Sequence, residues 1–260
     1  MSSNNRFSIC PLASGSKGNC VLIRSAESRI LVDAGLSGIQ IEKRLERIGE
    51  DPAKIDAIII THEHSDHIRG AGVLNRRYQI PVHITDKTLR AAPDIGKISD
   101  PVLFECGRSF QIGRIKIEPF SISHDAQDPA GLTFSLNTKK IGVATDMGVV
   151  TALARQHLKD CAVLYLEANH DPEMLMNGPY PWHLKQRIKS RTGHLSNPDC
   201  RDFLKEIAPN NLKHVILAHL SEENNIPEKA VQTVRQGLNS YCISIDVAMP
   251  HEPGNIVDIE

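Results

Sequence analysis

The sequence predicts an α/β fold in which sheets stack as a sandwich and helices cover the outside. Three observations point there. Strand-like runs come in meandering groups broken by helices, not in the strict strand–helix alternation of a doubly wound parallel sheet. Stretches with the 3.6-residue apolar period separate those groups. Nearly every polar motif falls directly after a strand-like run, which places function on loops along one edge of a rigid scaffold.

The strand-like runs are, in order, Phe7–Cys10, Val21–Arg24, Arg29–Val32, Ala57–Ile60, Val102–Glu105, Ile115–Phe120, Thr133–Asn137, Lys140–Ala144, Val163–Leu166, His214–Leu217 and Ser244–Ala248. Helical periodicity covers Gly38–Ile48, Gly70–Tyr78, Val149–His157, Trp182–Lys189, Pro198–Ile207 and Pro227–Leu238. Asn197 reads as an N-cap with Pro198 at the first helical position, and Pro227 opens the last helix in the same way. No internal repeat, low-complexity tract or linker divides the chain, so residues 1–260 are expected to form one domain.

Composition narrows the function classes. The chain has 260 residues, 40% hydrophobic and 23% charged, as in an ordinary globular protein. Aromatics are only 4% and net charge is −1, so a general polyanion binder or a protein lined with stacking platforms is not indicated. Nucleic-acid contact would have to come from a local patch. The six cysteines are dispersed without C-x-x-C spacing, several in apolar runs, as in a reducing cytosol. Residues Met1–Asn5 are polar and form no signal-peptide core, and no apolar run approaches membrane-spanning length. The expectation is a cytoplasmic protein with no membrane partner; self-association as a homodimer is left open.

The central chemical signal is His62-Glu63-His64-Ser65-Asp66-His67, directly after the run Ala57–Ile60. In extended chain His62 and His64 point the same way, because side chains alternate with period two, and can share one metal. Asp66 and His67 follow as the chain turns toward a helix and diverge onto a second metal. His124, Asp146 and His219 stand after three further strand-like runs and complete a site. Asp146 has two carboxylate oxygens to bridge the pair. Mixed imidazole and carboxylate ligands, without cysteine, suit two divalent ions such as Zn or Mn, with Fe also accommodated. Asp33, at the end of Arg29–Val32, reads either as the acceptor of a ring N–H from a ligand histidine or as a plain turn residue before Gly35.

With these residues in place the chain resembles the metallo-β-lactamase superfamily, over Phe7 to Glu222. The resemblance implies the four-layer αββα sandwich of that fold. It implies that His62, His64 and His124 hold one metal, that Asp66, His67 and His219 hold the other, and that Asp146 bridges. The stretch Leu12-Ala13-Ser14-Gly15-Ser16-Lys17-Gly18-Asn19-Cys20 is similar to the N-terminal signature of the YycJ (WalJ/VicX) subfamily, bacterial proteins regarded as DNA exonucleases. So are Leu166–Asp171, Gly193–Asn197 and Ala218–Ser221. The Glu167 and Gly193-His194 pairing also resembles tRNase Z, where such a pair is thought to cooperate in proton transfer.

The implied chemistry is phosphodiester hydrolysis. Two metals lower the pKa of a bound water, so that hydroxide is available near neutral pH for in-line attack at phosphorus. Asp66, His194 and Glu167 are the catalytic candidates, His194 protonating the leaving oxygen under the direction of Glu167. The subfamily implies 5′→3′ action on DNA. Lys185, Arg187, Lys189 and Arg191 crowd the stretch before His194 and read as a phosphate-binding run or as a solvated helix face. Asn169 and Ser196 join them as substrate-binding candidates. The helix after His194 is expected to offer free N–H groups to a phosphate. Asp171 reads as a rim residue or an N-cap. Three alternatives stand beside this reading: a hydrolase of small or cyclic phosphodiesters, an RNA 3′-processing nuclease, and a metal-binding signalling protein without catalysis.

Overall fold

The computed structural model describes residues 6–259; the polar start Met1–Asn5 lies outside the described residues. Its strands form two seven-stranded mixed sheets. In the first, β14 (Val257–Asp258) pairs with β1 (Phe7–Ala13), followed by β2 (Cys20–Ser25), β3 (Arg29–Val32), β4 (Ala57–Ile59), β5 (Val82–Ile84) and β6 (Val102–Leu103). In the second, β7 (Phe110–Ile112) is followed in spatial order by β8 (Ile115–Ser121), β9 (Ala130–Leu136), β10 (Lys139–Ala144), β11 (Val163–Glu167), β12 (His214–Ala218) and β13 (Ser244–Val247). Each sheet has three antiparallel pairings followed by three parallel ones. The two halves therefore share one plan that no sequence repeat announces.

Alternation along the strands separates the layers. Ile9, Ile23, Ile30 and Val32 point into a core between the sheets, with Ile141, Val143, Val163 and Tyr165 from the second sheet. Their neighbours Cys10, Leu22 and Leu31 face outward under α1 (Gly38–Arg47) and α3 (Ala71–Tyr78). Leu164 and Leu166 face outward under α8 (Asn197–Ile207) and α9 (Pro227–Leu238). Three apolar layers between four structural layers make the αββα sandwich. The shorter helices α2 (Ser65–Ile68), α4 (Asp86–Ala91), α5 (Ala152–Leu158), α6 (Pro172–Asn177) and α7 (Trp182–Ile188) fill the connections.

The sequence reading missed β5, β7, β14, α2, α4 and α6, which are two to six residues long. It also misplaced one cap. Ser196, not Asn197, caps α8, its hydroxyl accepting from Asp199 N, and Pro198 stands at the second helical position. Pro227 does open α9. All six cysteines are free thiols. Among the described residues no helix is long and apolar enough to cross a membrane.

Candidate metal centre

The site lies where strands of both sheets end. Asp33 follows β3, Asp146 follows β10 by two residues and His219 follows β12. All three adopt left-handed backbone, at φ 58°, 58° and 54°. A non-glycine residue there is strained and persists only where its surroundings hold it. Here Asp33 N donates to Ile59 O at 2.9 Å and His219 N donates to Ser14 Oγ at 2.7 Å.

Three imidazoles form the first pocket. His62 Nε2 lies 3.1 Å from His64 Nδ1, and His124 Nε2 lies 3.2 Å from the same atom. The far side of two rings is committed elsewhere. His62 Nδ1 meets Thr61 Oγ1 at 3.0 Å, and His124 Nδ1 meets Gly193 O at 3.3 Å. Burial pushes the His62 and His124 imidazoles below their usual range, which favours their neutral forms, and both Nε2 atoms converge on His64 Nδ1.

Carboxylates dominate the second pocket. Asp66 Oδ2 lies 3.5 Å from His67 Nε2 and 3.7 Å from His219 Nε2. Asp146 Oδ2 approaches His67 Nε2 at 3.4 Å, and its Oδ1 approaches His219 Nε2 at 3.5 Å. Asp33 Oδ2 accepts from His67 Nδ1 at 2.8 Å and also binds Thr61 Oγ1, so this one carboxylate orients His67 directly and His62 through Thr61. Burial works against protonated His67 and His219, yet the surrounding carboxylates raise both well above the usual histidine range. The same field favours a cation.

The residues fit two divalent ions. Tetrahedral ligands about 2.0–2.2 Å from a metal stand roughly 3.3–3.6 Å apart, close to the separations in both pockets. Asp146 Oδ2 and His219 Nε2 are buried without a hydrogen-bond partner, as atoms waiting for a cation would be. Asp146 is close enough to be grouped with His62 and His67 and also with His219.

Beside the second pocket Glu167 is fully buried. Its Oε2 accepts Met147 N at 2.7 Å and Leu195 N at 3.1 Å; its Oε1 accepts His194 Nδ1 at 2.8 Å and His219 Nδ1 at 3.1 Å. Burial would raise its pKa, but the charge and hydrogen bonds of the histidines outweigh that and hold it at about 2. Burial in turn disfavours the His194 imidazolium, and Glu167 overcomes this to raise its pKa. With Nδ1 committed to Glu167, His194 keeps Nε2 for the cleft that it lines.

This geometry can be set beside known proteins. The model for the "Beta-lactamase superfamily domain" matches residues 28–220. The chain belongs to that superfamily. It is 42% identical over 246 residues to exodeoxyribonuclease WalJ of Streptococcus pneumoniae serotype 2, covering 93% of this chain and 91% of that protein. It is 40% identical over 240 residues to exodeoxyribonuclease YycJ of Bacillus anthracis, covering 91% of each. Among solved structures, the metallo-β-lactamase fold protein YhfI from Bacillus subtilis is similar at a TM-score of 0.76 and 16% identity, over 98% of this chain and 100% of that one, which speaks to the fold alone.

In this superfamily member a small open cleft of about 170 Å³ lies beside the second pocket, lined by His194 and His219. Arg187 lines it, paired with Asp125 at 2.6 Å. Lys189 and Arg191 are exposed but line a neighbouring depression instead. Three expectations need correction. Lys185 is not available to substrate as a free cation: it is buried, and its ammonium donates to Met176 O at 2.7 Å and Gly178 O at 2.8 Å. Ser196 is spent on the α8 cap and on Asp199 Oδ2. The α8 terminus offers no free N–H groups, since Asn197 N donates to His170 O, Pro198 has none and Asp199 N is capped. Asn169 lines the cleft but also holds His219, donating to its carbonyl at 2.8 Å. Asp171 is the N-cap of α6, accepting from Glu173 N and Met174 N.

The sequence reading also overlooked what the β1–β2 loop does. Asn19 Nδ2 reaches Asp66 Oδ2 at 3.1 Å, and Ser14 Oγ holds the His219 backbone. Gly35 packs against the same loop, and a Cβ there would stand 1.6 Å from Asp66 O. The Ser-Gly-Ser-Lys-Gly-Asn stretch is thus more than a turn: it fastens ligand loops of both sheets.

Proposed function

We propose that this chain is a metal-dependent phosphodiesterase, a 5′→3′ DNA exonuclease of the cytoplasm. The observation that carries the reading is the pair of cation pockets joined at Asp146, with the Glu167–His194 dyad beside them facing an open cleft. The names of the WalJ and YycJ relatives supply the substrate class.

His62, His64 and His124 would hold one ion, Asp66, His67 and His219 the other, with Asp146 between them; Zn or Mn suits these donors and Fe is compatible. Such ions supply an activated water and neutralise phosphate charge. Asp33 and Thr61 keep the ligand rings in register, and Arg187 offers a guanidinium to the entering phosphate. Glu167 fixes the His194 ring with Nδ1 protonated. His194 Nε2 then gives its proton to the departing 3′ oxygen, leaving a 5′-phosphate on the shortened strand.

The test is incubation of the purified chain, loaded with Mn or Zn, with 5′- and 3′-labelled DNA and RNA. A 5′ label on DNA should leave as mononucleotide from the first time points, while a 3′ label stays on a shrinking strand. Cleavage confined to RNA 3′ ends, or no hydrolysis with any metal, would overturn the reading.

A further inference from the structure

One segment near the cleft has no part in the chemistry above: Gly178-Pro179-Tyr180-Pro181-Trp182. Among the described residues Tyr180 is the one Phe, Tyr or Trp lining the cleft, together with Leu184 and Ile188 of α7, Leu220 and His194. It is half-buried, and two prolines enclose it. Pro179 fixes its own φ, and Pro181 confines Tyr180 to extended backbone. Pro181 is also the N-cap residue of α7, with Leu184 N and Lys185 N both donating to its carbonyl.

A buried lysine completes the arrangement. Lys185 sends its ammonium back to Met176 O and Gly178 O, tying α7 to the chain just ahead of Tyr180. A Cβ on Gly178 would stand 2.5 Å from Asn224 Oδ1 and 2.7 Å from Met174 O, so that turn is packed on its other side as well. A buried cation, two prolines and a close-packed glycine hold one aromatic ring at the cleft. In a chain with only four tyrosines and one tryptophan, that is costly placement for a residue without a role.

We infer that Tyr180, with Leu184 and Leu220, forms a nucleobase pocket that takes the unpaired terminal base of the strand being cut. The inference rests on the nuclease reading and deepens it. The leaving 3′ oxygen, which His194 protonates, belongs to the nucleotide being released, so that nucleotide's base lies on the cleft side of His194. Its flat apolar faces match the wall of Tyr180, Leu184 and Leu220, and stacking makes no distinction among the four bases. The pocket accepts a base only after it has left its partner, so a frayed or single-stranded end is the preferred substrate. Lys185 acts as a positioning residue for Tyr180.

The test uses the metal-loaded chain on two 5′-phosphorylated strands, identical except that one carries an abasic tetrahydrofuran at its first nucleotide. For the native chain, loss of the base should lower kcat/KM for the first cut by about 5- to 150-fold, the range that base–aromatic stacking supplies. Tyr180→Ala should lose a comparable factor on the normal strand, mainly through KM, and the two losses should not add when combined. Tyr180→Phe keeps the ring and should rescue. Lys185→Met should resemble Tyr180→Ala in this base dependence. Equal losses for Tyr180→Ala on both strands, or native cleavage indifferent to the base, would overturn the pocket while leaving the nuclease intact. A native chain that cuts neither strand would overturn the nuclease reading, and the pocket with it.

Discussion

The two proposed cation pockets meet at Asp146 and share little else. One is three imidazoles, His62, His64 and His124, with burial favouring the neutral forms of His62 and His124 and with His64 partly open to solvent. The other is ringed by Asp66, Asp146, Asp33 and Glu167, with each ligand ring braced by a buried carboxylate. The difference lies in field and stiffness. A divalent ion in the second pocket meets more negative charge in a low-dielectric setting than one in the first, where three imidazoles have only Asp146 and the half-exposed Asp125, 3.4 Å from His124 Nε2, beside them. The second site should therefore fill first and empty last.

The largest effect is expected at the border of the carboxylate pocket, on the group that is hydrogen-bonded into it without being needed to hold an ion. His194→Ala should leave metal content unchanged and slow DNA cleavage by about 10²–10⁴-fold, the usual worth of a general acid. On a nitrophenyl phosphodiester, whose leaving group needs no proton, the loss should nearly vanish. Equal losses on both substrates would make His194 a phosphate-positioning group instead.

A smaller effect sharpens the contrast from inside. Asp33 touches His67 directly but reaches His62 only through Thr61. Asp33→Ala should weaken metal affinity by about 10–100-fold, as loss of an outer partner does, and mostly in the second pocket. Competition with a chromophoric chelator measures this; an equal loss from both pockets would mean that the brace does not discriminate between them.

A last effect, outside catalysis and metal affinity, concerns stability. His170 lies in the field of Glu167 without donating a hydrogen bond to it, and its Nδ1 is buried without a partner. Burial holds this imidazole down at about 4, with Glu167 opposing the shift. Between that value and its ordinary 6.5 the unfolded chain binds a proton that the folded chain refuses. Stability from this residue is therefore complete above pH 6.5 and lost as pH falls toward 4, by up to about 3 kcal/mol. Urea melts across that range should show the loss, and His170→Gln should flatten it. An identical pH profile in the variant would remove His170 from the account.

How much of this was legible in the chain follows from how local each feature is. His62 to His67 lie within six residues after an apolar strand, so one loop reveals four of the groups. His124, Asp146 and His219 stand out in the sequence because each follows a strong strand signal. The brace roles of Ser14 and Asn19 do not, because their partners lie 205 and 47 residues away. Lys185 looked like its basic neighbours, since periodicity says which face of a seven-residue helix is apolar but not that a long side chain curls back to cap two carbonyls. Strands as short as Val82–Ile84 and Val257–Asp258 carry no pattern of their own and exist because a neighbouring strand pairs with them. The matched order of the two sheets is likewise invisible, since backbone pairing recurs without the same side chains recurring.

The central claim is that two unlike pockets hold two ions, and metal counting tests it most directly. The chain is stripped with chelator, reloaded with Mn or Zn, dialysed and weighed intact under native conditions, alongside His64→Ala and Asp66→Ala. Two ions per native chain are expected, one of them removed at lower chelator concentration. His64→Ala should retain a single ion of near-native affinity, and Asp66→Ala should lose the tightly held one. One ion per native chain, or a His64→Ala variant that still holds both at native affinity, would contradict the account.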